Sequence, residues 1–155
     1  MVELDDADRR ILGVLAVDGR ITLTALAERV GLSKTPCHAR VRRLERAGVI
    51  RGYRAILEPS VLGGTHLAFV QVTLNDTTSK ALEAFNEAVH AVREIEACHM
   101  IAGGFDYLLK VRTSDVGAYR RVLGERISAL PHVAQTSTFV VLEAVKDEAA
   151  ASRKP

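Results

Sequence analysis

The stretch Val-Gly-Leu-Ser-Lys-Thr-Pro-Cys-His-Ala-Arg-Val-Arg-Arg-Leu-Glu-Arg-Ala-Gly (30–48) decides how this 155-residue chain is read. Cys37, Val41 and Leu44 recur four and three apart, which is the spacing of one apolar stripe along a helix. Pro36 would fall in the first turn of that helix, where its missing N–H is no loss. Gly31 ends what comes before, and Gly48 ends the helix itself. The other faces carry His38, Arg40, Arg42, Arg43 and Arg46. A helix over about 35–47 therefore has one face to bury and a strongly cationic remainder.

Toward the N-terminus, Leu4, Ala7, Ile11, Leu12 and Leu15 predict a helix over about 5–17. Asp5, Asp6 and Asp8 lie in its first turn, where the helix dipole favours negative charge. Thr22 or Thr24 can cap a second helix over about 24–30, with Leu26, Ala27 and Val30 on its inner face. Helices two and three are separated by a short turn holding Gly31, which is helix-turn-helix spacing. The start of helix three, Ser33 to Ala39 with Pro36 among them, then points outward and can enter a major groove. Ser33, Lys34, Thr35 and His38 can bond base edges or phosphates, and Ala39 can meet a thymine methyl. Arg42, Arg43 and Arg46 lie further along and suit flanking phosphates. Residues 49–58 read as a short extended segment, a wing or hinge strand.

Charge supports that reading. The net charge is only +2, yet residues 33–54 hold seven cations against the single acid Glu45. The remaining C-terminal residues carry ten Lys and Arg against twelve acids. A basic block in an otherwise balanced chain marks a local contact with a polyanion, here double-stranded DNA. Cys37 and Cys98 have no paired spacing, so neither a disulfide framework nor a zinc site is expected, and no cofactor. The acids at the N-terminus argue against an export signal, and no apolar run reaches membrane-spanning length. A cytoplasmic protein is expected.

From residue 67 the rhythm changes. Leu67–Leu74, Ile95–Ile101, Tyr107–Arg112 and Val133–Val145 read as strands, and Lys80–Val92 and Val116–Leu130 have helical spacing. The order β-α-β-β-α-β is that of a ferredoxin-like sandwich. The expected fold is thus α+β: a winged helix-turn-helix over 1–58, a linker over 59–66, a ferredoxin-like domain over 67–146 and a flexible tail over 147–155. Two helices cover one sheet face, and a second subunit is the simplest cover for the other. Gly103-Gly104-Phe105-Asp106-Tyr107 forms a Gly-rich turn whose backbone N–H groups can hold a carboxylate, with Asp106 meeting an ammonium group. The alternative is a plain hairpin with Asp106 bonded to its own backbone.

The runs 4–12, 18–21, 30–37 and 40–50, together with Glu-Ala-Cys-His-Met-Ile-Ala-Gly-Gly-Phe-Asp-Tyr-Leu-Leu-Lys (96–110), Leu-Pro-His-Val (130–133) and Thr-Ser-Thr-Phe-Val-Val (136–141), resemble the Lrp/AsnC family of feast/famine regulators. Within it the details are most similar to regulators of proline catabolism. The resemblance covers about residues 3–146. It implies a transcription regulator, a homodimer able to assemble into octamers or larger, and an amino-acid effector, with proline and leucine as candidates. It implies an effector site between dimers, near Gly103, Gly104, Asp106 and Tyr107 and near Gln135, Thr136 and Thr138 of the last strand. Gly104 stands where some leucine-responsive members carry an acid, which leaves the effector open. A second reading is an enzyme on the same architecture, like the sirohaem decarboxylases. It would need a cationic cleft, for which His99, Lys110, Arg112 and His132 are the available side chains, and it gives the basic helix no purpose. No enzyme activity is expected.

Overall fold

The computed structural model describes residues 3–57, 61 and 63–146. The expected tail over 147–155 lies outside them, as do several linker positions. The chain divides into two compact units, Met1–Ala55 and Ile56–Pro155.

The first unit is three helices. Asp5 caps α1 (Asp6–Val17): its carboxylate accepts the Asp8 N–H at 2.8 Å, and the Asp8 carboxylate accepts the Asp5 N–H at 3.2 Å. This reciprocal pair satisfies two N–H groups that a helix start otherwise leaves open. Thr22, not Thr24, caps α2 (Leu23–Val30) by accepting the Ala25 N–H. Gly31 follows at φ +71°, a left-handed conformation that a side chain would strain, and it turns the chain into α3 (Lys34–Arg46). Ile11, Leu26, Ala27, Val30, Cys37, Val41 and Leu44 form one buried cluster. The stripe read from helix three is therefore the face that packs on helices one and two.

The expected strand over 49–58 does not form: residues 51–57 belong to no strand. A strand exists only as part of a ladder, and nothing among the described residues pairs with this segment. Tyr53 instead lies against the backbone at Gly19, and its hydroxyl donates to Glu45 at 3.0 Å.

The second unit runs β1 (His66–Leu74), α4 (Ser79–Val89), β2 (Ile95–Met100), β3 (Tyr107–Thr113), α5 (Val116–Val122) and β4 (Val133–Val140). The sheet order is β2-β3-β1-β4, and every neighbouring pair is antiparallel. With the β-α-β-β-α-β chain order, this is the ferredoxin-like α+β arrangement. Ala68, Val70, Val72, Leu74, Tyr107, Leu109 and Val111 point to the helix side and form the core with Phe85, Tyr119 and Ile127.

Three elements end several residues earlier than the spacing predicts, and β2 ends one residue earlier, at Met100. α4 stops at Val89, and Val92 is still buried but is reached through tight turns. The second helix widens into a π turn over Leu123–Ile127, closed by the Ser128 N–H on the Leu123 carbonyl at 2.9 Å. β4 ends at Val140, opposite Ala68, close to where β1 and its partner groups run out. Among the described residues no helix is long and apolar enough to cross a membrane.

Candidate DNA interface and ligand loop

The period of α3 sorts its polar residues into two groups. Ser33, Lys34, Thr35, Pro36, His38, Ala39, Arg42, Arg43 and Arg46 are all exposed, and Thr35, Ala39, Arg42 and Arg46 lie opposite the buried stripe. Ser33 sits at the N-cap, but its side chain makes no bond to the helix end. The hydroxyl and the helix's first N–H groups are therefore available at the positive end of the dipole. Arg42 Nε donates to His38 Nε2 at 3.2 Å, and Arg46 Nε donates to the Arg42 carbonyl at 3.3 Å. The first bond requires His38 to present an unprotonated Nε2. The surface presents polar groups at its start and cations one and two turns later, the arrangement expected of a helix that reads a major groove.

Arg43, expected at a phosphate, is ion-paired within the chain, with its side chain 45% exposed. Its guanidinium donates to Asp8, as does that of Arg40, whose Nη1 lies 2.9 Å from Asp8 Oδ1 and 2.6 Å from Asp5 Oδ2. Asp8 is 0% exposed. Burial alone would raise its carboxyl's pKa, but the bonds from Arg43, Arg40 and the Asp5 N–H outweigh that, and the value is lowered. Asp5 is lowered to about 2, first by the Asp8 N–H and then by Arg40. The sequence reading assigned these acids only to the helix dipole. The three-residue spacing Asp5–Asp8 was the available sign of a capping box. Their ion-pair partners 32 to 35 residues away had no local sign.

In the second unit the residues expected around the loop are only partly brought together. Gly103 and Gly104 are exposed and take no positive φ. A Cβ at Gly103 would touch only the Ile101 side chain at 3.5 Å, and one at Gly104 would meet nothing. Neither conformation nor space inside the chain demands glycine there. Asp106 does not bond its own loop through its carboxylate: Oδ2 accepts the Leu74 N–H of β1 at 2.7 Å. Its N–H donates to the Val72 carbonyl and its carbonyl accepts the Ile101 N–H, so Asp106 pins the loop to the sheet at both ends. Among the described residues Oδ1 has no such partner, and it keeps its acceptor capacity.

Tyr107 is a core residue. It is 1% exposed, and its ring lies 4.4 Å from that of Phe85. Gln135 and Thr136 pair with Thr73 and Val72, at the same end of the sheet as the loop, with β1 between them and Asp106. Thr136 and Thr138 face the helix side, and the Thr138 hydroxyl is bonded to the Tyr119 hydroxyl at 2.5 Å. Gln135 faces the other way. Within one chain, then, these seven residues do not converge on one pocket. The cationic cleft that an enzyme would need does not form among the described residues either: Lys110 and Arg112 are both paired with Glu96, and His132 lies in the turn before β4.

An outward-facing cationic helix on a three-helix unit, followed by a separately packed α/β sandwich, defines a two-module DNA-binding protein. Residues 4–51 match the winged helix-turn-helix DNA-binding model, and residues 67–151 match the Lrp/AsnC ligand binding domain. The chain is 59% identical over 145 residues to a proline dehydrogenase transcriptional activator of Rhizobium radiobacter, covering 94% of this chain and 93% of that one. It is 52% identical over 144 residues to the leucine-responsive regulatory protein of Escherichia coli K12, covering 93% and 88%. Among solved structures, a Neisseria meningitidis transcriptional regulator in complex with L-Met superposes with a TM-score of 0.86 at 33% identity, covering 94% of each chain. The chain belongs to the Lrp/AsnC family of transcriptional regulators. It is a DNA-binding regulator and not an enzyme, so the decarboxylase-like alternative falls.

Proposed function

We propose that this protein is a cytoplasmic regulator that binds proline and controls the gene for its catabolic dehydrogenase. The observation that carries the reading is the pairing of an exposed cationic α3 with a loop whose two glycines serve no need of the chain itself. Bare backbone at 103–104 lets a carboxylate approach the N–H groups closely, and the open Asp106 Oδ1 suits an ammonium group. The choice of proline over leucine rests on the relatives: those at 59% and 57% identity are both called proline dehydrogenase transcriptional activators.

The working form is a homodimer, with octamers or larger assemblies built from it. Phe69 and Phe139 are opposite one another on the sheet face away from the helices, and Leu67 and Leu108 share that face. Phe139 is 53% exposed in the single chain. The same face also carries Lys110, Arg112 and Gln71, so it is mixed, and its apolar part around Phe69 and Phe139 is covered most simply by its own copy. A site between dimers would also complete what one chain leaves scattered across Gly103, Gly104, Asp106, Gln135, Thr136 and Thr138. Linker and domain roles follow the two units: reading before residue 56, sensing and assembly after it.

The test is a thermal-shift titration against the twenty amino acids, with sedimentation on the same samples. Ligand at 100 times its Kd adds about 2.7 kcal/mol to the folded state by mass action. Proline is expected to raise the melting temperature at lower concentration than leucine or methionine. A profile flat for proline and raised for leucine would reassign the effector, and a monomer at micromolar concentration would remove the dimer.

A further inference from the structure

α3 carries more positive charge than it offers to DNA. Arg40 and Arg43 are three apart and share one flank of the helix, while His38, Arg42 and Arg46 follow one another at spacings of four on a different flank. The first flank faces α1, where the Asp8 carboxylate is fully enclosed and receives both guanidinium groups. Asp5 takes a second bond from Arg40, and the two acids hold one another through the reciprocal cap of α1. Two charges of each sign thus meet in one clasp.

We propose that Asp8 is a positioning residue for DNA reading: together with Asp5 it neutralises Arg40 and Arg43, and it fixes how α3 is turned about its axis. The reading surface is then His38, Arg42, Arg46 and the helix start, and no more. The proposal rests on α3 being the reading helix. The physical reason for such a clasp is selectivity. Each phosphate contact adds affinity for every DNA sequence alike, so surplus cations on the reading helix raise non-specific binding. What discriminates one site from the rest is the ratio of specific to non-specific affinity. Anchoring two guanidinium groups on α1 removes that surplus. It also sets which edge of α3 presents Thr35 and His38.

The test measures binding of the full-length protein to a duplex of scrambled sequence, long enough to span a full site, as a function of salt. Arg42→Ala is expected to lower the slope of log affinity against log salt by about one, and Arg43→Ala to leave it unchanged. Asp8→Asn removes one negative charge and leaves Arg43 without its partner while Arg40 keeps Asp5, so it is expected to steepen the slope by about one. Each added phosphate contact changes affinity by about 3.5-fold more between 50 and 200 mM salt. A merely structural Asp8 would change the melting temperature without steepening the slope. An Arg43→Ala slope that falls as far as that of Arg42→Ala would overturn the proposal, as would a folded Asp8→Asn with the parent slope. A flat slope for Arg42→Ala would overturn the reading of α3 itself, and the proposal with it. Should Asp8→Asn fail to fold by circular dichroism, the contrast between Arg42→Ala and Arg43→Ala decides alone.

Discussion

The two units hold their functional residues in opposite ways. In the first, almost all the candidate DNA-reading residues lie on one 13-residue helix, because a 3.6-residue period gathers nearby positions onto one surface. In the second, the candidate ligand residues are spread over a loop and an edge strand, and a two-residue period sends neighbours to opposite faces. Gln135 and Thr136 are adjacent in sequence and face different sides of the sheet. A helix site can therefore be complete within one chain, while a sheet-edge site waits for other strands or another copy to complete it.

The largest expected effect separates the units. Leu44 is 0% exposed at the centre of the helical core. Leu44→Ala should destabilise the first unit by about 2–5 kcal/mol, because apolar burial shrinks and a cavity is left behind. Urea unfolding followed by circular dichroism reads that change. DNA binding should fall with it while amino-acid binding persists, and a fall in both together would show that the two regions do not stand independently.

Next comes the loop. Asp106→Asn keeps an oxygen to accept the Leu74 N–H but removes the charge that would face an ammonium group. Hydrogen bonds to charged groups contribute roughly 1.5–3 kcal/mol, so proline affinity should fall about 10- to 100-fold by calorimetry. DNA binding without effector should match the parent. Unchanged proline affinity would place the ammonium elsewhere.

The reading helix gives a comparable or smaller effect of a different kind. Thr35→Ala or His38→Ala should weaken binding to a preferred site by about 1–3 kcal/mol for each bidentate bond to a base that the substitution removes, and have little effect on scrambled DNA. Sequence selection from a random pool shows the difference as relaxed preference at one or two positions. Equal weakening on all sequences would move these residues among the phosphate-binding set.

The smallest effect is in the clasp's response to acid. The Asp5 and Asp8 carboxyls are both held below their ordinary value near 3.8 in the folded protein, Asp5 at about 2. A lowered folded value means stabilisation that is complete above about pH 4 and is lost as pH falls toward about 2. Melting of the first unit, followed by far-ultraviolet circular dichroism, should decline across that window. Asp5→Ala should remove part of the decline and lower the melting temperature modestly at neutral pH, because the helix also gives up its N-cap. A melting temperature that does not change between about pH 4 and pH 2 would detach these acids from the unit's stability.

Local sequence determined a great deal here. The apolar stripe of Cys37, Val41 and Leu44, the left-handed glycines at 31 and 48, and the cationic remainder of α3 all follow from period and turn chemistry within a short stretch of chain. The β-α-β-β-α-β order was legible for the same reason. Tertiary structure alone decided which charges of α3 are paired within the chain, because the partner of Arg43 lies 35 residues away on another helix. It alone placed Tyr107 in the core, since a strand's alternation gives two faces without saying which one the helices cover. It alone denied residues 51–57 a strand and stopped β4 at Val140, since a strand's extent is set by its neighbour's backbone as much as by its own side chains.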